Sequence, residues 1–133
     1  MLDLEKLVES AGDAIVAADP EGRIVLWNAA AERIFGYTKA DALGATLDLI
    51  VPERLRERHW GGYRAVMRSG KTKYGTELLR VPATHRDGRR LSIAFTVTLL
   101  PGAIAAIIRD ETARWNEERQ LRERIKELEA KGA

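Results

Sequence analysis

Residues 13–28 read DAIVAADPEGRIVLWN, and this stretch decides the fold. An apolar run, AIVAAD, leads into the turn Pro20-Glu21-Gly22. A second apolar run, RIVLWN, follows it. Two short apolar segments around a Pro/Gly turn predict a β-hairpin. The hairpin ends on Asn28, a residue whose side chain can accept a hydrogen bond from the first turn of a helix. The next residues, AAAERIF, therefore predict a helix, which Gly36 stops. Thr38 or Asp41 starts another short helical turn, closed at Gly44.

Working outward, Leu2, Leu4, Leu7, Val8 and Ala11 share one helical face and predict a leading helix that stops at Gly12. Downstream, Pro52 suits the first turn of a long helix, ERLRERHWGGYRAVMRSG, that runs to Gly70. Gly61 and Gly62 weaken it by about 1 kcal/mol each relative to Ala, and they predict close approach by another chain or a flat ligand. Three strands follow. GTELLRVPATH meets the hairpin signal Arg86-Asp87-Gly88. RRLSIAFTVTLL alternates, with Leu91, Ile93, Phe95, Val97 and Leu99 pointing one way. After Pro101-Gly102, AIAAIIRD is continuously apolar and reads as a central strand. From Glu111 onward the chain is charged and helical, with a short apolar heptad seam of Leu121, Ile125 and Leu128. Strands grouped on both sides of a helical middle imply an α+β domain.

Composition narrows the chemistry. The 133 residues suit one domain, and 45% hydrophobic against 32% charged residues is ordinary for a globular chain. The net charge of +2 is spread over interspersed charges, which gives no basis for nucleic-acid binding. Cysteine is absent, which excludes disulfides, zinc–thiolate sites, iron–sulfur clusters and photochemistry through a cysteine adduct. No apolar run reaches the roughly 20 residues of a membrane span, so no membrane association is expected and a cytoplasmic location is. No phosphate-binding loop, dinucleotide fingerprint or zinc-protease motif is present, and independent catalysis is not expected.

The order and spacing of these features resemble the PAS family over residues 1–115. The carriers are Asp13-Ala14-Ile15, Asp19 to Gly22, Ile24 to Asn28, Ala31, Phe35-Gly36-Tyr37 and Leu43-Gly44. Pro52, Gly70, Arg86-Asp87-Gly88 and Arg109-Asp110-Glu111-Thr112 continue the pattern. The resemblance implies a five-stranded antiparallel sheet with flanking helices and a ligand pocket between the sheet and the long helix. It divides the chain into an N-terminal cap helix (1–12), the PAS domain (13–112) and a C-terminal coiled-coil signalling helix (113–133). It also implies a homodimer through the two terminal helices and a downstream effector.

Within that family, His59 lies eleven residues before Gly70. The rhizobial haem-based oxygen-sensor subgroup has its iron-ligating histidine at the same offset. The resemblance therefore implies haem b held by His59, the one metal ligand, and a diatomic gas or redox signal. Tyr63, Arg64, Lys73, Tyr74, Leu79, His85, Phe95, Val97 and Ile107 complete the expected cofactor site. Of these, Phe95, Val97 and Tyr74 are expected on the distal side, and Arg64, Lys73 and His85 at the propionates. Two positions depart from the subgroup: Leu79 stands where the oxygen sensors carry a distal arginine, and Tyr74 where they carry isoleucine. The other readings are a haem-free interaction module, with Trp60 and Tyr74 filling or covering the cavity, and non-covalent flavin. Arg54, Arg56, Arg58, Arg64 and Arg68 alternate with Glu53 and Glu57 and read as a solvated helix face. Arg109 and Asp110 are read as an ion pair at the end of the last strand.

Overall fold

A computed structural model describes residues 1–72 and 75–132. The chain runs α1 (Leu4–Ser10), β1 (Ala14–Ala18), β2 (Ile24–Trp27), α2 (Ala29–Phe35), α3 (Lys39–Ala42) and α4 (Arg56–Ser69). It continues through β3 (Leu79–Thr84), β4 (Arg90–Leu100), β5 (Ala103–Asp110) and α5 (Thr112–Gly132). Two 3-10 turns, Leu47–Leu49 and Glu53–Leu55, join α3 to α4. The five strands form one antiparallel sheet in the order β2-β1-β5-β4-β3. The continuously apolar strand β5 is central, as its composition predicts.

Local chemistry explains the elements. Asn28 caps α2 by accepting from the Ala31 N–H at 3.1 Å, and Gly36 ends it in the left-handed region at φ 84°. Thr38 caps α3 in the same way. The expected helix from Pro52 to Gly70 starts later: residues 53–55 form a 3-10 turn and the α-helix begins at Arg56. The expected strand over 75–85 shortens to Leu79–Thr84.

The core lies on the inner face of the sheet. Trp27 and Phe35 meet at 5.5 Å between ring centroids, with Ile24, Ala30, Ala31 and Leu91 buried around them. The Trp27 indole donates to the Tyr37 carbonyl at 2.9 Å. Asn28 is the one fully buried polar side chain in this region. It accepts from the Ile15 N–H and donates to the carbonyls of Val8 and Asp13. It therefore ties α1, β1 and α2 together with every polar atom satisfied.

Register fixes which residues of β5 face inward. Ala14, Val16 and Ala18 stand opposite Ile108, Ala106 and Ile104, and these stand opposite Phe95, Val97 and Leu99 of β4. Ile107 falls on the other parity, between Ile15 and Thr96, and is 47% exposed. Its expected place in the pocket is therefore corrected. In a strand without apolar–polar alternation the sequence carries no parity signal.

Candidate functional site

The same inner face is hollow where α4 crosses it. A cavity of about 130 Å³ opens there. Its sheet wall is built from Val16 of β1, Ile93, Phe95 and Val97 of β4, and Ala106 and Ile108 of β5. Its opposite wall is Leu47, Ile50 and Val51, on and beside the first 3-10 turn, with His59 and Tyr63 of α4. Among the described residues, these last two are the only side chains in the lining that carry polar atoms.

Tyr63 is committed elsewhere. Its hydroxyl donates to the Asp19 carbonyl at 2.5 Å. Burial, with Asp19 and Glu21 nearby, pushes its pKa up to about 12, so it stays a neutral donor. His59 is not committed. Its Nδ1 is buried and has no hydrogen-bond partner. Burial lowers its pKa, and the Asp48 carboxylate opposes that only in part. A neutral imidazole results, with a nitrogen lone pair available to a ligand or metal. An unpaired buried polar atom costs about 1–3 kcal/mol, so this one marks the place in the lining where a ligand atom would be most stabilising.

The helix that carries His59 is held at its N-terminal end. The Arg56 guanidinium donates to the carbonyls of Val51 and Asp48, both at 3.2 Å. The Trp60 indole N–H donates to Asp48 Oδ1 at 2.7 Å. Its ring lies on Gly22 in the β1–β2 turn, so closely that a Cβ there would come within 2.1 Å of it. Trp60 thus covers the edge of α4 rather than filling the cavity; it is absent from the lining.

Of the expected site residues, His59, Tyr63, Phe95 and Val97 come together on the cavity. Four others do not. Ile107 lies on the outer face. Arg64 is exposed on α4. Leu79 begins β3 opposite Phe95 but lies outside the lining. His85 sits in the β3–β4 turn against Gly36, with its Nδ1 accepting from the Asp87 N–H at 3.1 Å. A short polar turn needs such a partner, which explains the histidine there without a ligand. Lys73 and Tyr74 lie outside the described residues. Leu47, Ile50 and Val51, on and just after the first 3-10 turn, were not anticipated; their irregular backbone has no period that reveals a facing.

The cavity wall leads directly to the exit helix. One residue beyond Ile108, Arg109 grips Asp13 with two hydrogen bonds, at 3.2 and 3.1 Å. The expected pairing of Arg109 with Asp110 is thereby corrected, since Asp110 instead accepts from the Thr112 N–H at 2.9 Å and starts α5. At the base of α5, Arg90 lies over the Trp115 ring at 5.0 Å.

A family model described as PAS fold matches residues 2–100. Among curated proteins, the chain is 32% identical over 92 residues to a protein of Azorhizobium caulinodans whose name assigns no function, covering 68% of this chain and 12% of that one. It is 36% identical over 56 residues to the sensor protein FixL of Bradyrhizobium diazoefficiens, covering 42% of this chain and 11% of that protein. It is 22% identical over 114 residues to the oxygen sensor protein DosP of Escherichia coli, covering 83% and 14%. The chain thus spans about an eighth of the length of these relatives. Among solved structures, a PAS domain from Colwellia psychrerythraea superposes with a TM-score of 0.71 at 23% identity, covering 83% of this chain and 95% of that one.

Proposed function

The chain belongs to the PAS family, and from that premise we propose that it is a sensory domain whose ligand is haem b, held by His59. The observation that carries this reading is the buried, unpartnered Nδ1 of His59 on the wall of an otherwise apolar cavity. The donor set suits the group: His59 would supply an imidazole to hold it, and aliphatic and aromatic walls would surround it. His59 would hold the group, which would supply an iron able to bind a diatomic gas. The kinship with proteins named FixL and DosP supports the same reading. Among the described residues no amide side chain lines the cavity, so a flavin's polar ring edge would find few partners there, which favours haem over flavin.

The residues of this chain do the rest. His59 presents the nitrogen, and Trp60 and Arg56 keep its helix turn in place. Phe95, Val97 and Ile108 exclude water. A displacement of the Ile108 wall reaches Arg109, Asp110 and the first turn of α5 within a few residues. We assign the output to that helix, through a homodimer made by α1 and α5 and a downstream effector. Leu4 and Leu7 of α1 and Leu121, Ile125 and Leu128 of α5 are exposed and available for such pairing. The domain itself performs no catalysis in this reading.

A second reading rests on the cavity volume. About 130 Å³ is below the roughly 300–1,000 Å³ of ordinary ligand pockets, and suits a small apolar ligand whose polar head meets His59. The PAS domain of the Cronobacter turicensis quorum-sensing receptor RpfR, solved with C12:0, shares this fold at 18% identity. Titrating the purified protein with haem b decides between them. The haem reading predicts a saturable Soret band at one equivalent that is lost or shifted in His59→Ala. No band in the wild type, or the same band in His59→Ala, overturns it.

A further inference from the structure

We propose that the C-terminal half of α4 is a lid over the cavity, with Gly61-Gly62 as its hinge and the Tyr63 hydroxyl on the Asp19 carbonyl as its latch. This rests on the reading that the cavity takes a ligand, and it explains how a volume of about 130 Å³ admits a larger one.

The two glycines are the first observation. Both are exposed, and a Cβ added to either would meet nothing within 4 Å. Neither has a positive φ. No contact among the described residues of the domain itself therefore accounts for them. Each makes the helix about fivefold less favourable than Ala would. Adjacent small residues of this kind are where helices bend.

Their position is the second observation. On the N-terminal side, Arg56 and Trp60 bind the helix to Asp48, Val51 and Gly22. Those contacts hold His59 in place. On the C-terminal side, the Tyr63 hydroxyl ties the helix to the sheet side of the cavity by its hydrogen bond to the Asp19 carbonyl. Beyond it Arg64, Ala65, Arg68 and Ser69 are exposed. A bend at Gly61-Gly62 releases Tyr63 from Asp19 and lifts it, with the helix turn beyond, away from the cavity that it lines. His59 keeps its position through that motion, because its anchors lie on the other side of the hinge.

Two variants push the lid in opposite directions. Gly61→Ala/Gly62→Ala stiffens the hinge and Tyr63→Phe removes the latch. Amide hydrogen exchange of Arg64–Ser69 is measured on the whole chain without ligand, and haem b uptake is followed by stopped flow. The double alanine variant is expected to slow both exchange and uptake about 25-fold; Tyr63→Phe is expected to speed both several-fold. Exchange in this segment equal to wild type in both variants overturns the lid, as does haem uptake through His59 at one rate in all three proteins. If exchange shifts as stated while even the wild type takes up no haem, the lid stands and the haem reading fails.

Discussion

The inner face of the sheet carries two helices that treat it differently. Under α2 the side chains are closely buried: Trp27, Phe35, Ala30 and Ala31 are at most 2% exposed, and Asn28 satisfies all its polar atoms. Under α4 the same sheet faces a cavity and a histidine with an orphaned nitrogen. One half is stabilised by packing. The other leaves stabilisation unrealised, as sites that bind something commonly do. In the proposed reading the first half serves structure and the second half binds the ligand.

Mutations can break that contrast. The largest effect is expected from Trp27→Ala, which should cost about 3–5 kcal/mol in urea unfolding, as a large buried aromatic does. Asn28→Ala should cost about 2–3 kcal/mol, because it strips partners from the Ile15 and Ala31 N–H groups and from two carbonyls. A matched pair then sharpens the comparison. Ala31→Leu overpacks the filled half and should cost about 1–3 kcal/mol. Ala106→Leu extends into the hollow half and should cost clearly less in the same assay, while preventing haem uptake. Equal costs for the two would remove the distinction between the halves.

A smaller effect is expected from pH. The unfolded His59 imidazole titrates near its ordinary 6.5, and the folded one lower because burial disfavours its charge. Between those values the unfolded chain binds more protons. Its contribution to stability is thus intact above about 6.5 and declines as pH falls through that value. Thermal melts between pH 7.5 and 5.5 should show a shallower decline for His59→Gln than for the wild type. The smallest effect is expected far from both halves. Arg119→Ala removes an exposed i,i+4 pair with Glu123 and should change stability by less than about 0.5 kcal/mol.

Much of the fold was legible because its punctuation is local. Pro20-Glu21-Gly22, Arg86-Asp87-Gly88, Pro101-Gly102 and the cap at Asn28 each act within a few residues. The hollow half was legible only in part. Phe95 and Val97 lie on an alternating strand, so their facing could be inferred; His59 and Tyr63 were expected from the family resemblance. Ile107 was misassigned because β5 is apolar on both faces. Leu47, Ile50 and Val51 come from a 3-10 turn and the irregular backbone after it, and the partnership of Trp60 with Gly22 and Asp48 joins three segments distant in sequence. Tertiary contacts of that kind have no local signal.

The most direct test of the central claim is the melting temperature of wild type and His59→Ala, each with and without one equivalent of haem b. A ligand that binds only the folded state raises its stability. The account predicts a clear rise for the wild type and none for His59→Ala, whose ligand-free melting temperature should stay close to that of the wild type. An equal rise in both proteins, or none in either, would contradict it.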